Sequence, residues 1–290
     1  MAWRRFRRHK MAIFGLVTLF LLITYSFGGG FIVSEAYANF TDTSLRLTPP
    51  SGSHPFGTDT VGRDILARTI YGGQISLLIG LTAVLLETIM GIIIGSLAGF
   101  YGGTIDSLLM RFTEAMLNIP QIFLLIVMSK FFGTDIPNIQ LFGRTYSGSV
   151  VVIVLIIGLT SWPYLARIVR AEFLSIKERE FILAARATGT PIFQIIFGHI
   201  LPNSIAPIVV AATLGVANAI TLEAYISFLG LGVRPPTATW GNMLEGAYTY
   251  IETAYWMWLF PGLLIVLIVL SINFLGDGLR DALDPRSRTV

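Results

Sequence analysis

The sequence predicts an all-α, polytopic membrane protein with six transmembrane helices. Of its 290 residues, 54% belong to the AVILMFWYC set and only 13% are charged, about half of the roughly 25% typical of soluble domains. Six apolar stretches reach the length that crosses a bilayer. They cover about Met11–Val33, Ile75–Phe100, Ala115–Met128, Ser149–Ala166, Ile205–Leu222 and Trp256–Phe274. A sheet is excluded, because these stretches do not alternate in polarity and open sheet edges cannot face lipid.

The composition also excludes several functional classes. It does not fit a disordered chain, a water-soluble enzyme or a nucleic-acid-binding protein. The chain has no cysteine, so disulfides, thiolate nucleophiles and iron–sulfur clusters are excluded. Its three histidines, His9, His54 and His199, are far apart in sequence, and we expect no metal site. Phosphate-binding, dinucleotide-binding and hydrolase motifs are missing from the sequence, so we expect no catalytic residue and no cofactor in this chain.

The first and third apolar stretches need separate arguments. Five basic residues precede Met11, and Ala36–Ala38 resembles a cleavage site, which together are typical of a signal peptide. The stretch is longer than the core of a signal peptide and five others follow, so a retained helix is favoured. The third stretch contains Pro120 and is interrupted by Lys130, which makes it the weakest of the six.

The distribution of basic residues predicts the orientation. With the N-terminus inside, 14 of the 20 Lys and Arg residues fall on the cytoplasmic side, as the positive-inside rule requires. Both termini are therefore expected in the cytoplasm. Trp and Tyr residues around the start of the last stretch fit an aromatic belt at the outer interface.

The predicted spans divide the chain into four regions. Residues 1–33 form a basic cytoplasmic N-terminus and the first helix, and residues 34–74 form an extracytoplasmic segment that ends in a short helix before the second span. Residues 75–276 form a core of five helices, which includes a cytoplasmic loop at 167–203. Residues 277–290 form a cytoplasmic tail.

Residues that typically begin and end helices predict two helices in the 167–203 loop. Ser175 and Glu178 form a capping box, which predicts a helix that begins near Ile176, and Gly189 suits its C-terminal cap. One face of this helix carries mainly small residues at helical spacing: Phe181, Ala184, Ala185 and Thr188. Such a face permits close approach by a partner, although packing on the helix's own bundle is an open alternative.

The second helix of the loop has its own signals. Thr190 is its expected cap, with Pro191 at the first helical position, and Pro202 is expected to end it.

Two carboxylates lie inside predicted spans, where charge is costly. Glu87 shares a helical stripe with Gly91, Gly95 and Gly99, which indicates contact with another helix. It either serves that contact or lines a solute path. Glu223 either lies at the outer interface or lines the path. An ion-coupled carrier that depends on these two residues is an alternative function, and a structural scaffold is a further one.

Several blocks of sequence resemble one family. Ala184–Gly189, followed by His199–Asn203, is similar to the cytoplasmic signature of ABC-importer permeases, E-A-A-x-x-x-G and then I-x-L-P or a variant. Further blocks resemble the C-type subunit of dipeptide, oligopeptide and nickel permeases. They are His54–Asp59 with Gly62–Asp64, Ser227–Val233 with Pro235–Pro236 and Trp240–Gly241, and Leu275–Arg286.

The resemblance implies a type I ABC-importer fold and a defined set of partners. They are a homologous permease subunit that forms a heterodimer with this chain, two ATPase subunits that bind ATP and Mg²⁺, and an extracytoplasmic solute-binding protein. The residues implied for coupling to an ATPase are Phe181, Ala184, Ala185, Thr188 and Gly189. Asp59, Arg63 and Asp64 are implied as an outer gate or a binding-protein contact, with helix caps and local ion pairs as the alternative.

The resemblance leaves two questions open. The Glu of the signature is replaced by Leu183, and Glu180, one turn earlier, is a possible substitute. Peptides are the favoured solute, but nickel complexes and oligosaccharides are alternatives within the same group of permeases.

Overall fold

The computed structural model of the protein describes residues 2–132, 137–141 and 144–283. Two π-helical turns cover Thr24–Gly28, which extends the helix Lys10–Ile23, and Ile195–Ile200, which joins the short helices Ile192–Gln194 and Leu201–Asn203. The helices are α1 (Ala2–Phe6), α2 (Lys10–Ile23), α3 (Glu35–Asn39), α4 (Ile65–Tyr101), α5 (Gly103–Asn118), α6 (Gln121–Phe132), α7 (Gly148–Ile176), α8 (Glu180–Ala187), α9 (Ile192–Gln194), α10 (Leu201–Asn203), α11 (Ile205–Phe228) and α12 (Trp256–Leu283). One antiparallel hairpin pairs β1 (Ile139–Leu141) with β2 (Arg144–Tyr146), in the register that places Gln140 opposite Thr145.

Helix α4 lies at the centre of the bundle, parallel to α7 and antiparallel to α11. Its glycine stripe faces α7 at very short distances. A Cβ atom at Gly91 would lie 2.9 Å from Leu165, and one at Gly99 would lie 2.6 Å from Phe173. Only glycine permits this approach, and such small-residue contacts hold membrane helices together by van der Waals packing. The prediction that this stripe faces another helix is confirmed.

Helices α2 and α12 form a second antiparallel pair. A Cβ atom at Gly15 would lie 2.6 Å from the carbonyl oxygen of Ser271. Phe6, Ala12 and Ala282 cluster where the pair ends, so both ends of the described chain lie at the same end of the bundle as α8. We call this the loop end, and the opposite end, which carries residues 34–64, the segment end.

The third predicted span is not one continuous helix. Helices α5 and α6 meet at an angle of 83°, and Ile119, between them, is extended with φ −81° and ψ 125°. The residue before a proline is disfavoured in helical conformation, so Pro120 explains the break. Across the described residues, five helices are long and apolar enough to span a membrane, and the bent pair makes a sixth if it counts as one span.

The spans differ from the prediction chiefly in where they end. The expected short helix before the second span is wrong, because α4 runs without a break for 37 residues from Ile65. The 74/75 boundary therefore falls inside a helix. The first span ends with the π turn at Gly28, not at Val33. Helices α11 and α12 begin as predicted, but they continue to Phe228 and Leu283.

Candidate functional site

The C-terminus of α8 has the predicted glycine cap. Gly189 adopts φ +77°, in the left-handed region that glycine favours. The amide of Thr190 donates to the carbonyl oxygen of Ala185 at 3.0 Å, and the amide of Gly189 donates to that of Arg186 at 3.0 Å. These two bonds form a Schellman motif, which stops α8 and turns the chain toward α9.

The predicted start of α8 is wrong. Ser175 lies in the last turn of α7, which continues to Ile176, and α8 begins at Glu180 after an extended Arg179 with no side-chain cap. Tertiary packing overrides the capping box, because Phe173 and Ile176 are buried and continue the apolar face of α7. The loop after α7 therefore begins about ten residues later than the sequence predicts.

The second loop helix also differs from its prediction. Pro191, not Thr190, is the residue before α9, and it is extended with ψ 145°. The hydroxyl of Thr190 lies 3.4 Å from that of Thr188 and caps no helix. The helical segment passes Pro202 by one residue, because α10 ends at Asn203.

Helix α8 is anchored on one side and open on the other. Ile182 is fully buried in a cluster with Phe173, Ile195 and Ile200, which belong to α7 and to the segment after α9. The opposite side faces away from the bundle: Phe181, Leu183, Ala184, Thr188 and Gly189 are exposed and Ala185 is half-buried. Leu183 is 48% exposed, so the residue that replaces the signature Glu is available to a partner.

Three polar contacts fix the region around α8 to the bundle. Arg170 on α7 donates two hydrogen bonds to Asp106 on α5, at 2.5 and 2.6 Å. Lys177 donates to the carbonyl oxygen of Gly99, at the end of α4, at 3.0 Å. The guanidinium of Arg186 lies 5.3 Å from the centroid of the Phe100 ring. Sequence reasoning missed these contacts, because it used the basic residues only for orientation.

Asp59 and Arg63 together form a closed turn at the segment end. The carboxylate of Asp59 accepts hydrogen bonds from the amides of Val61 and Arg63, both at 2.9 Å, and from Nε of Arg63 at 2.6 Å. The amide of Asp59 in turn donates to the carbonyl oxygen of Arg63 at 3.0 Å. Both oxygens of the Asp59 carboxylate therefore accept hydrogen bonds from within the turn.

Asp64 caps the N-terminus of α4. One carboxylate oxygen accepts a hydrogen bond from the amide of Ala67 at 2.8 Å, and the other lies 2.8 Å from Nδ1 of His54. Asp64 is 5% exposed. The geometry of Asp59, Arg63 and Asp64 is thus that of a helix cap, one local ion pair and a hydrogen bond to His54, which together shape residues 34–64.

Glu223 is completely buried at the segment end and accepts hydrogen bonds from hydroxyl groups. Ser227 donates to it at 2.7 Å and Ser76, on α4, donates at 3.2 Å, and the side chain of Thr239 is a third partner. Ser76 also accepts a hydrogen bond from the amide of Trp240 at 3.2 Å. The carboxylate therefore joins α4 and α11 to the loop between α11 and α12.

Further hydroxyl groups hold the same loop. Thr237 accepts a hydrogen bond from the amide of Ser147, and Ser149 accepts one from the amide of Arg234, both at 3.0 Å. Ser129 on α6 donates to the carbonyl oxygen of Leu231. The sequence does not single out these serines, since one serine in an apolar stretch carries no signal for a hydrogen-bond partner.

Glu87 lies between α4 and α11 and has no comparable partners. It is 7% exposed, and within the described residues no donor hydrogen-bonds to its carboxylate. A Cβ atom on Gly215 of α11 would lie 3.5 Å from Oε2 of Glu87. The two intramembrane carboxylates therefore differ. Glu223 accepts hydrogen bonds from hydroxyl groups, whereas Glu87 has no donor among the described residues.

Comparison with known proteins identifies the family. Residues 91–289 match the model of the binding-protein-dependent transport system inner membrane component, and residues 1–50 match the N-terminal TM domain of oligopeptide transport permease C. The chain belongs to this family of transport permeases. It is a multi-pass protein of the bacterial inner membrane. Helix α8 lies inside the first match, whereas Asp59, Arg63 and Asp64 lie between the two.

Relatives of this permease align with it over almost their whole length. A putative peptide permease protein of Brucella suis is 44% identical, over 98% of this chain and 89% of the relative. The dipeptide transport system permease protein of Alkalihalophilus pseudofirmus is 41% identical, over 99% and 90%. The oligopeptide transport system permease protein of Haemophilus influenzae is 38% identical, over 99% and 88%.

A solved structure supports the fold of the permease. The MetNI methionine ABC transporter, in an inward-facing conformation, contains a chain that matches with a TM-score of 0.56 and 22% identity. The match covers 73% of this permease and 95% of that chain. The expected type I ABC-importer transmembrane fold is confirmed.

Proposed function

We propose that this permease forms half of the membrane pathway of an ATP-driven, binding-protein-dependent importer of peptides. A homologous permease subunit supplies the other half in a heterodimer. The peptide substrate is supported by relatives of 38–44% identity that carry peptide-transport names. The chain itself does no chemistry on the solute.

The exposed face of α8 carries this proposal. The loop end lies in the cytoplasm, in line with the basic residues on that side. Two ATPase subunits bind ATP and Mg²⁺ there, and one of them receives α8. A short helix, capped by Gly189 and anchored by Ile182, presents a fixed set of mostly small side chains to such a partner.

The anchor of α8 provides a route for coupling. Ile182 packs in one cluster with Phe173 of α7 and Ile208 of α11, so a displacement of α8 displaces both helices. Interiors are close-packed and transmit strain. Closure of the ATPases on ATP then opens the bundle outward and hydrolysis resets it, because the two states offer α8 different contacts.

The segment end receives the solute from an extracytoplasmic binding protein in this proposal. Asp59, Arg63 and Asp64 support that surface by holding the outer segment in shape. Arg63 has a partly exposed side chain that the binding protein can contact directly.

Copurification tests the proposal. The permease is expressed with its partner permease, the two ATPases and the binding protein, and Ala185→Arg is compared with Thr41→Arg, an exposed site at the segment end. Ala185→Arg is expected to insert normally but to lose the ATPases and peptide uptake, whereas Thr41→Arg keeps the ATPases. Normal ATPase recovery with Ala185→Arg, or uptake by this chain alone under a pH gradient, would contradict the proposal.

A further inference from the structure

Arg68 is a buried cation at the segment end to which the described chain offers a single acceptor. It lies in the first turn of α4 and is 3% exposed. Its Nη1 donates a hydrogen bond to Oδ1 of Asn39 on α3, at 3.2 Å. Within the described residues its guanidinium makes no other hydrogen bond and no ion pair. Most of the N–H donors of this guanidinium therefore need an acceptor from elsewhere.

The two carboxylates that precede Arg68 along the chain already have partners. Both oxygens of Asp59 accept hydrogen bonds from within its turn, and one of these bonds comes from Nε of Arg63. Asp64 caps α4 with one oxygen and meets Nδ1 of His54 with the other. The charges of Asp59 and Arg63 balance each other, so the positive charge of Arg68 is left over.

A small polar cavity adjoins Arg68. Its volume is about 60 Å³, several times the roughly 10–15 Å³ that one water molecule requires. Its walls come from the turn at Asp59, the start of α4, the start of α12 and the loop between α11 and α12. The polar residues that line it are Asp59, Thr60, Arg63, Arg68, Asn242 and Glu245. The cavity therefore has room for a small ion beside the guanidinium of Arg68.

The walls of this cavity offer more donors than acceptors. The side-chain amide of Asn242 bonds to the backbone of its own loop. The Nη groups of Arg63 and the hydroxyl of Thr60 make no hydrogen bond with any described residue. Glu245 is exposed, so solvent screens its charge, and its carboxylate lies beside Gly230. The cavity thus brings a buried cation together with unused donors, which is the chemistry of an anion site.

The burial of Arg68 limits what its counter-ion can be. A buried charge without a counter-ion costs free energy, so buried charges in proteins are paired. Arg68 is buried by this chain alone, before any other subunit docks, so its counter-ion has to come from solution. The cavity is too small for a peptide, and a small inorganic anion fits its volume.

We propose that Arg68 holds a small monovalent anion, such as chloride, in this cavity. The Nη groups of Arg63 and the hydroxyl of Thr60 supply further donors to the anion. The anion connects the turn at Asp59 and the start of α4 to the loop between α11 and α12, and so stabilises the segment end. The site does not depend on which solute the permease transports.

Thermal unfolding of the full-length permease in detergent tests the site. At constant ionic strength, replacing gluconate, which is larger than the cavity, with chloride is expected to raise the melting temperature. A site that is half-filled at about 10 mM gives a rise of roughly 3 °C at about 100 mM chloride. Arg68→Gln should abolish this rise, whereas Arg234→Gln, which removes an exposed cation at the same end, is the control and should keep it. An equal melting temperature of the wild type in both salts, as expected if water alone fills the cavity, would overturn the proposal, and so would an equal rise in Arg68→Gln.

A counter-ion supplied by the chain gives a second test, which leaves Arg68 in place. Asn39→Asp puts a carboxylate where Oδ1 of Asn39 accepts the hydrogen bond from Arg68 at 3.2 Å, so the cation is paired internally. The chloride-dependent rise in melting temperature is then expected to be largely lost. Asn203→Asp, at an exposed position of the loop end, is the matched control and should retain the rise. Full chloride dependence in Asn39→Asp would refute the site.

Bromide locates the ion directly, without any substitution. Bromide has the charge of chloride and a measurable anomalous scattering signal. Crystals of the wild-type permease grown in bromide are expected to show an anomalous peak in the cavity, within hydrogen-bond distance of the Arg68 guanidinium. Bromide peaks at other places only, with none in the cavity, would contradict the proposal even if Arg68→Gln fails to fold.

Discussion

Arg170 and Asp106 form a bidentate ion pair at the loop end, with Nε and Nη2 of Arg170 at 2.5 and 2.6 Å from the two carboxylate oxygens. The pair joins α7, which leads into the loop, to α5, which leads into the bend at Pro120. A guanidinium matches a carboxylate in this geometry with two parallel hydrogen bonds, and lysine cannot reproduce it.

The ion pair predicts a measurable coupling between the two helices. Arg170→Lys keeps the charge but loses the paired hydrogen bonds, and Asp106→Asn removes the charge of the acceptor. Each is expected to lower the stability of the detergent-solubilised protein by about 1 kcal/mol, because the pair is partly exposed to solvent. A double-mutant cycle on thermal unfolding should show a coupling of similar size. Strictly additive effects of the two substitutions would show that the pair contributes nothing.

The effect of substitutions at Gly189 is expected to depend on how well each new residue adopts the left-handed backbone conformation. No atom of the described residues lies within 4 Å of a Cβ built on Gly189, so the cost of a side chain arises from the φ of +77° and not from a clash. Gly189→Val should disorder the end of α8 and reduce both ATPase recovery and transport. Gly189→Asn should retain most of both, because asparagine tolerates left-handed geometry. Equal transport by the Val and Asn variants would exclude the cap as a requirement for coupling.

Substitution of Glu223 is expected to lower the stability of the protein and not to change its specificity for the solute. Glu223→Ala leaves the buried hydroxyl donors Ser76 and Ser227 without their acceptor, at a cost of about 2 kcal/mol in stability. Glu223→Gln keeps one acceptor oxygen and should cost less. The exposed Glu178→Gln is the matched control and should change nothing. These effects are measured as the loss of folded protein on heating in detergent. A stable Glu223→Ala that no longer transports would indicate a pathway role instead.

Substitutions of Asp64 and Arg63 at the segment end are expected to lower stability by unequal amounts. Asp64→Ala removes the cap of α4 and the partner of His54, and is expected to lower stability by about 1 kcal/mol or more. Arg63→Ala breaks a partly exposed ion pair, so the stability loss should be at most about 1 kcal/mol. Expression and thermal unfolding measure both effects. A large transport defect in Arg63→Ala at normal expression would show that Arg63 contacts the binding protein or an outer gate.

The helical spans and the helix cap at Gly189 could be predicted from the sequence, because they depend on local chemistry. Long apolar stretches must become helices in a bilayer, because no other open structure satisfies the backbone there. The starts of α11 and α12 at Ile205 and Trp256 follow from that rule. The role of Gly189 could be predicted because a left-handed helix cap favours glycine over all other residues. The contact made by the glycine stripe of α4 could be predicted because small residues recur every four positions where two membrane helices pack.

Long-range packing decided what the sequence alone left open. The capping box at Ser175 is a local signal worth about 1 kcal/mol, and burial of Phe173 and Ile176 outweighs it, so α7 continues where a new helix was predicted. The two intramembrane carboxylates looked alike in sequence. Glu223 accepts a hydrogen bond from Ser76 on α4, 147 residues away, besides the one from Ser227 on its own helix, whereas Glu87 meets the bare backbone of Gly215. Hydrogen-bond partners that are distant in sequence are set by the tertiary fold, and so is the difference between a carboxylate that has hydroxyl donors and one that has no donor among the described residues.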